Sequence, residues 1–170
     1  MKTTKYDMTF KTSIKLSDKK LQKILQFYLI ECPVEGVSFK GKSFKEYGYA
    51  DRNSFGRLKK QLLDSATSSL AKNYFPSLKS ELENNIKECS LKECSEEYCV
   101  FLKSDEKSVM RSLFSAIRNA LAHGRFSIKT YKNTHIYCFS NYKKYEKARI
   151  VLYEDTLLTW IKIIKNEGVI

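Results

Sequence analysis

Between Tyr6 and Leu16 the apolar residues fall on alternate positions: Tyr6, Met8, Phe10, Ile14 and Leu16, with Thr12 completing the series. A period of two predicts an extended segment with one buried face. From Ser17 the period changes. Leu21, Ile24, Leu25, Tyr28 and Leu29 recur at three and four, which predicts a helix closed by Pro33. Residues 34–52 carry Gly, Lys and the rings Phe39, Phe44, Tyr47 and Tyr49, and read as a long loop packed by its own rings. A second helix is predicted from Asn53 to Tyr74, on Leu58, Leu62, Ala66 and Leu70, with Phe55 and Leu63 widening the stripe. Pro76 interrupts, and Leu78, Leu82 and Ile86 predict a third helix. Residues 91–103 fit neither period.

A fourth helix is predicted from Ser104, an N-cap candidate followed by Asp105 and Glu106 in the first turn. Its apolar face is Val109, Leu113, Ala116, Ile117, Ala120 and Leu121, and Gly124 ends it. After Gly124 the pattern turns β-like. Phe126, Ile128 and Thr130 alternate, Lys132 and Asn133 read as a turn, and Ile136–Phe139 follows. Arg149–Tyr153 reads as a third strand. Asp155 or Thr156 caps a last helix, with Leu157, Leu158, Ile161 and Ile164 inward and Gly168 past its end. The predicted fold class is mainly α, a helical bundle with a small β-hairpin after the fourth helix.

Composition narrows the class. At 170 residues and 42% hydrophobic, the chain is expected to be one globular domain spanning 1–170. No apolar run approaches the roughly 20 residues that span a bilayer, and the polar start, Met1–Asp7, does not resemble a signal peptide. The five cysteines are odd in number and read as reduced thiols of a cytoplasmic protein. Cys89, Cys94 and Cys99 are spaced five apart. That spacing turns successive thiols about 140° around a helix, which argues against a metal site.

Thirty-one Lys plus Arg against nineteen Asp plus Glu give a net charge of +12. Such a balance favours an anionic partner, nucleic acid first. The charge is segregated. Residues 79–106 hold Glu81, Glu83, Glu88, Glu93, Glu96, Glu97, Asp105 and Glu106. Residues 125–149 interleave Arg125, Lys129, Lys132, Lys143, Lys144 and Lys147 with Phe126, Tyr131, Tyr137, Phe139, Tyr142 and Tyr145. Cations grip phosphates and rings stack on unpaired bases. A solvated basic hairpin whose rings are partly core is the plainer account of the same residues.

One constellation carries chemistry. The fourth helix ends Ile117-Arg118-Asn119-Ala120-Leu121-Ala122-His123-Gly124, and the chain has 2 histidines in all. Asn119 and His123 are four apart and share a helix face. Arg118 swings to the same rim. A guanidinium suits a phosphate, and an imidazole near neutrality takes or gives a proton. A polar helix end is the structural alternative. His135 reads as a surface or strand histidine.

Arg118-Asn119-Ala-Leu-Ala-His123-Gly124 resembles the R-x4-6-H motif of HEPN domains, commonly R-N-x-x-x-H followed by Gly. The resemblance is strong over those seven residues and loose over 104–165. It implies a homodimeric, metal-independent endoribonuclease without cofactors, of the kind found in bacterial toxin and abortive-infection systems. By that resemblance Arg118 stabilises charge on the scissile phosphate, Asn119 matches the polar residue after the motif arginine, placed to orient the imidazole or the substrate, and His123 is general acid or base. The substrate's own 2′-hydroxyl is the nucleophile. Arg125, Lys129, Tyr131, Lys132, Lys143 and Lys144 are the expected RNA contacts. The resemblance also implies an antitoxin or regulatory partner protein, and no membrane. The alternative is a non-catalytic HEPN module that binds RNA or protein.

Overall fold

The computed structural model describes residues 18–34, 42–92, 95–104, 108–131 and 133–167. The period-two segment Tyr6–Leu16 lies outside them, as do Phe39, Cys94, Asp105, Glu106 and Lys132. The first helix, α1 (Lys19–Leu25), is capped by Asp18, whose carboxylate accepts from Lys20 N and Leu21 N. It continues as a π-helical segment over Gln26–Glu31. Helix α2 (Arg52–Asp64) opens on Asp51, and α3 (Ser68–Lys72) follows after a break. Strand β1 (Tyr74–Ser77), helix α4 (Lys79–Ser90) and strand β2 (Tyr98–Leu102) come next. Helix α5 (Val109–Ala122) leads into three strands, β3 (Phe126–Tyr131), β4 (Thr134–Tyr142) and β5 (Glu146–Tyr153). Helix α6 (Glu154–Lys165) is the last described.

The strands form one five-stranded sheet in the order β1-β2-β5-β4-β3. Strands β1 and β2 are parallel, with α4 as the crossover, and the other pairs are antiparallel. Cys99, Phe101, Ile128, Tyr137, Phe139, Ile150 and Leu152 join the core formed with α1, the π-helical segment, α2, α5 and α6. Tyr98, Val100, Ile136, Cys138 and Val151 pack with Leu82, Ile86 and Cys89 of α4 on the other side. Helices on both sides of a mixed sheet make this an α/β fold, and the expected mainly α helical bundle is corrected.

The reason lies in two segments. Tyr-Cys-Val-Phe-Leu of β2 is apolar throughout because four of its five residues are buried, on both faces of a central strand. Such a run shows no period. Strand β1 contains Pro76, which suits its edge position, where one side of the strand needs no ladder partner. Further expectations are corrected. The 53–74 helix divides into α2, α3 and the start of β1. Helix α5 is capped by Ser108, whose hydroxyl accepts from Arg111 N, rather than by Ser104. Rings of the 34–52 loop enter the core instead of packing together: Phe44 is fully buried against Phe55 and Phe114, with centroids 5.3 and 5.6 Å away. The hairpin turn is where the sequence places it, with Asn133 at φ 62°.

Register fixes two ends to the sheet. At one, β1, β2 and β4 finish while β3 and β5 begin. Helix α5 links the end of β2 to the start of β3, so its C-terminus is delivered to this end.

Candidate functional site

Eight residues of α5 are buried, from Met110 to Leu121, and its outer side carries Ser115, Arg118 and Asn119. The helix stops at His123, its C-cap residue, with φ −99° and ψ 9°. Gly124 follows at φ +63°. Arg125 N donates to Ala120 O at 2.8 Å and Gly124 N to Leu121 O at 3.1 Å. These two bonds are the Schellman arrangement, which glycine permits because it lacks a Cβ. Arg125 O then accepts from Ser140 N at 2.9 Å, tying the helix end to β4. His123 thus sits, exposed, on a rigid corner between α5 and β3.

Arg118 Nη1 donates to Asn119 Oδ1 at 3.3 Å. Asn119 lies one turn before His123, so it links the guanidinium to the histidine's side of the helix. Arg118 forms no ion pair with a carboxylate among the described residues. Its charge is felt by a buried thiol: burial pushes Cys32 well above its usual range, and the guanidinium pulls the other way. Arg118 Nε and Ser115 Oγ are both buried without a hydrogen-bond partner. Each such group costs about 1–3 kcal/mol relative to a satisfied one. Two on one stripe mark it as a place not optimised for the lone chain. Ser115 was not singled out in the sequence, although it stands four residues before Asn119 on the same line.

The expected RNA contacts divide. Arg125, at the start of β3, and Lys143 and Lys144, in the β4–β5 turn, share the sheet end with His123. Lys129 and Tyr131 lie further along β3, and Tyr131 pairs with Thr134 at the opposite end. Six residues of strand separate Arg125 from Tyr131, about 20 Å. Lys132 lies outside the described residues.

Cys89 and Cys99 belong to the cores on opposite sides of the sheet, and Cys94 lies outside the described residues. Among the described residues no group of three or more His, Cys, Asp or Glu could hold a metal ion. No helix among them is long and apolar enough to cross a membrane. His135, expected at the surface or on a strand, lies in β4 and is part of a cluster. Its Nδ1 lies 3.1 Å from Glu154 Oε2, which also accepts from Tyr137 OH at 3.4 Å. Lys20 Nζ meets the other oxygen at 2.9 Å.

Compared with family models, with curated proteins and with solved structures, the chain matches none.

Proposed function

We propose that this protein is a cytoplasmic endoribonuclease acting through Arg118, Asn119 and His123. The observation that carries the reading is an arginine on a helix end, engaged by a neighbouring carboxamide and by no carboxylate among the described residues, five positions before an exposed histidine. The motif's likeness to HEPN ribonucleases supports the chemistry, while the α/β architecture departs from the fold that the likeness implies. The substrate's 2′-hydroxyl oxygen attacks the adjacent phosphorus. His123 accepts the hydroxyl proton, or gives one to the departing 5′-oxygen. Arg118 balances the charge that builds on the phosphate oxygens. The products are a 2′,3′-cyclic phosphate and a 5′-hydroxyl end, and no cofactor enters the step.

One chain places one imidazole at this corner, since His135 lies at the other end of the sheet, whereas acid and base are both needed. A homodimer with α5 ends apposed supplies the second. A ribonuclease of this kind also calls for an antitoxin or regulatory protein to restrain it.

The test is purified protein with mixed total RNA in EDTA. Wild type cleaves. His123→Ala and Arg118→Ala each lose about 10²–10⁴ in rate. Their thermal midpoints barely move, because neither side chain fills the core. Equal cleavage by both variants, or none by the wild type, refutes the assignment, and RNA binding without cleavage leaves a binding module.

A further inference from the structure

The basic end of the sheet is wider than the 125–149 segment. Ser77 closes β1 there, and Lys103 N donates to Ser77 O at 2.9 Å, placing Lys103 beside the start of α4. Lys79 opens α4, and its ammonium lies 5.3 Å from the centroid of the Tyr145 ring. Lys147 lies 5.7 Å from the same centroid. One ring in the β4–β5 turn therefore gathers a cation from α4 and another from β5. Lys143 and Lys144 stand in that turn, and Arg125 lies beside Ser140. In strand order, then, cations follow one another from β1 to β3, across four strand spacings, or about 19 Å.

None of Lys79, Lys103, Arg125, Lys143, Lys144 and Lys147 forms an ion pair among the described residues. Two carboxylates close to them in sequence, Glu146 and Glu81, have other partners, and Asp105 and Glu106 lie outside the described residues. Glu146 takes both Nε and Nη2 of Arg149 at 2.8 Å, and accepts from Ser140 Oγ at 3.0 Å. Glu81 accepts from Leu78 N at 3.4 Å. Like charges are thus assembled in a row, and Glu81 and Glu146 are engaged elsewhere. A row of cations fits a ligand with repeated negative charge. Tyr142, 49% exposed in the same turn, adds a ring on which an unpaired base can stack. An acidic protein would use the charge and leave the ring idle.

We infer that this sheet end is a phosphate track for single-stranded RNA. It leads from His123 and Arg125 across the β4–β5 turn to a gripping point made by Lys79, Lys147 and Tyr145. The inference rests on the ribonuclease reading. It reassigns the main RNA contact from the length of β3 to the strand ends, and adds residues from inside the acidic 79–106 stretch.

The test measures anisotropy of a fluorescein-labelled oligouridylate over a KCl series, in the non-cleaving His123→Ala background. The double variant Lys79→Gln/Lys147→Gln lowers the magnitude of the log–log salt slope by about 1.4, from ~0.7 per phosphate contact on a single strand. Its affinity falls on the order of tenfold. The Lys79→Arg/Lys147→Arg pair restores both, which separates charge from fold. Tyr145→Leu, which frees the two ammoniums, costs about two- to fivefold. Lys162→Gln, on the exposed side of α6, changes neither. Unchanged slope and affinity in the double Gln variant, with wild type still cleaving RNA, overturn the track and spare the ribonuclease reading. Absence of both binding and cleavage by the wild type overturns both. Equal capture of polyglutamate assigns the row to an acidic protein and overturns the RNA track.

Discussion

At the end of the sheet away from His123, two carboxylates are enclosed and each of their oxygens has a donor. Glu97, 0% exposed, accepts from Thr67 N, Thr67 Oγ1 and Tyr153 N. Glu154, 5% exposed, is held by Lys20, His135 and Tyr137. At the His123 end, Lys79, Lys103, Arg125, Lys143, Lys144 and Lys147 have no carboxylate partner among the described residues. A buried charge is tolerated only when it is satisfied, whereas gathered surface charges of one sign weaken the fold slightly. The difference teaches where each sign is used. The acidic end is built into the structure, joining α1, α3, β2, β5 and α6. The basic end adds little to stability and is available to a ligand.

The contrast breaks first if the acidic end is not structural. Glu97→Ala removes the acceptor of two part-buried backbone N–H groups, Thr67 N and Tyr153 N, and leaves the Thr67 hydroxyl with Ser69 Oγ at 2.8 Å. A loss of about 3–5 kcal/mol in urea unfolding is expected. RNA affinity, measured well below the new midpoint, is expected to stay within about twofold. A loss under about 1 kcal/mol, or a collapse of RNA binding in the still-folded variant, would remove the distinction between the ends. Glu154→Gln is milder, because the amide keeps the shape and can still meet Tyr137. About 1–3 kcal/mol is expected. Burial, with the Glu154 charge added, raises the Tyr137 phenol well above its usual range, so Glu154→Gln should also let that phenol ionise at lower pH. Ultraviolet difference titration reads it directly.

How much of this was legible depended on what each residue reports. Helix α5 was legible because Val109, Leu113, Ala116, Ile117, Ala120 and Leu121 mark one face of a single long helix. Strands β3–β5 were legible because the period changes at Gly124. Strand β2 was not, because Val100 and Phe101 face different sides and both are buried, which erases alternation. Ser104 and Ser108 are equally good caps by type, and the turn that Ser108 closes decided between them. The Arg118, Asn119 and His123 spacing was visible in the chain. The separation of Lys143 and Lys144 from Lys129 and Tyr131 was not, since it comes from strand register. The same holds for Lys79, which lies 66 positions from Tyr145 in the sequence and meets it through the sheet.

Lys143→Ala/Lys144→Ala tests the basic end from the stability side. Both side chains are exposed, so unfolding free energy is expected to stay within about 0.5 kcal/mol per site. The same variant should lower the magnitude of the RNA salt slope by about 1.4. A destabilised variant with unchanged binding would reverse the roles of the two ends.

The smallest effect calibrates the others. Glu31, at the end of the π-helical segment, meets Lys165 of α6 at 2.7 Å, both side chains partly exposed. Burial pushes the Glu31 carboxyl up, but hydrogen bonds from Lys165 and Gln26 outweigh it and hold the group below its ordinary value. A carboxyl lowered on folding adds stability at pH above its unfolded value, about 4.3, and loses it as pH falls through the folded value. Glu31→Gln should therefore cost less than about 1 kcal/mol near pH 6, and less again near pH 3. Unfolding curves at the two pH values check the sign. If this partly exposed pair cost as much as Glu97→Ala, enclosure would not be what distinguishes the acidic end, and the contrast between the two ends would need another cause.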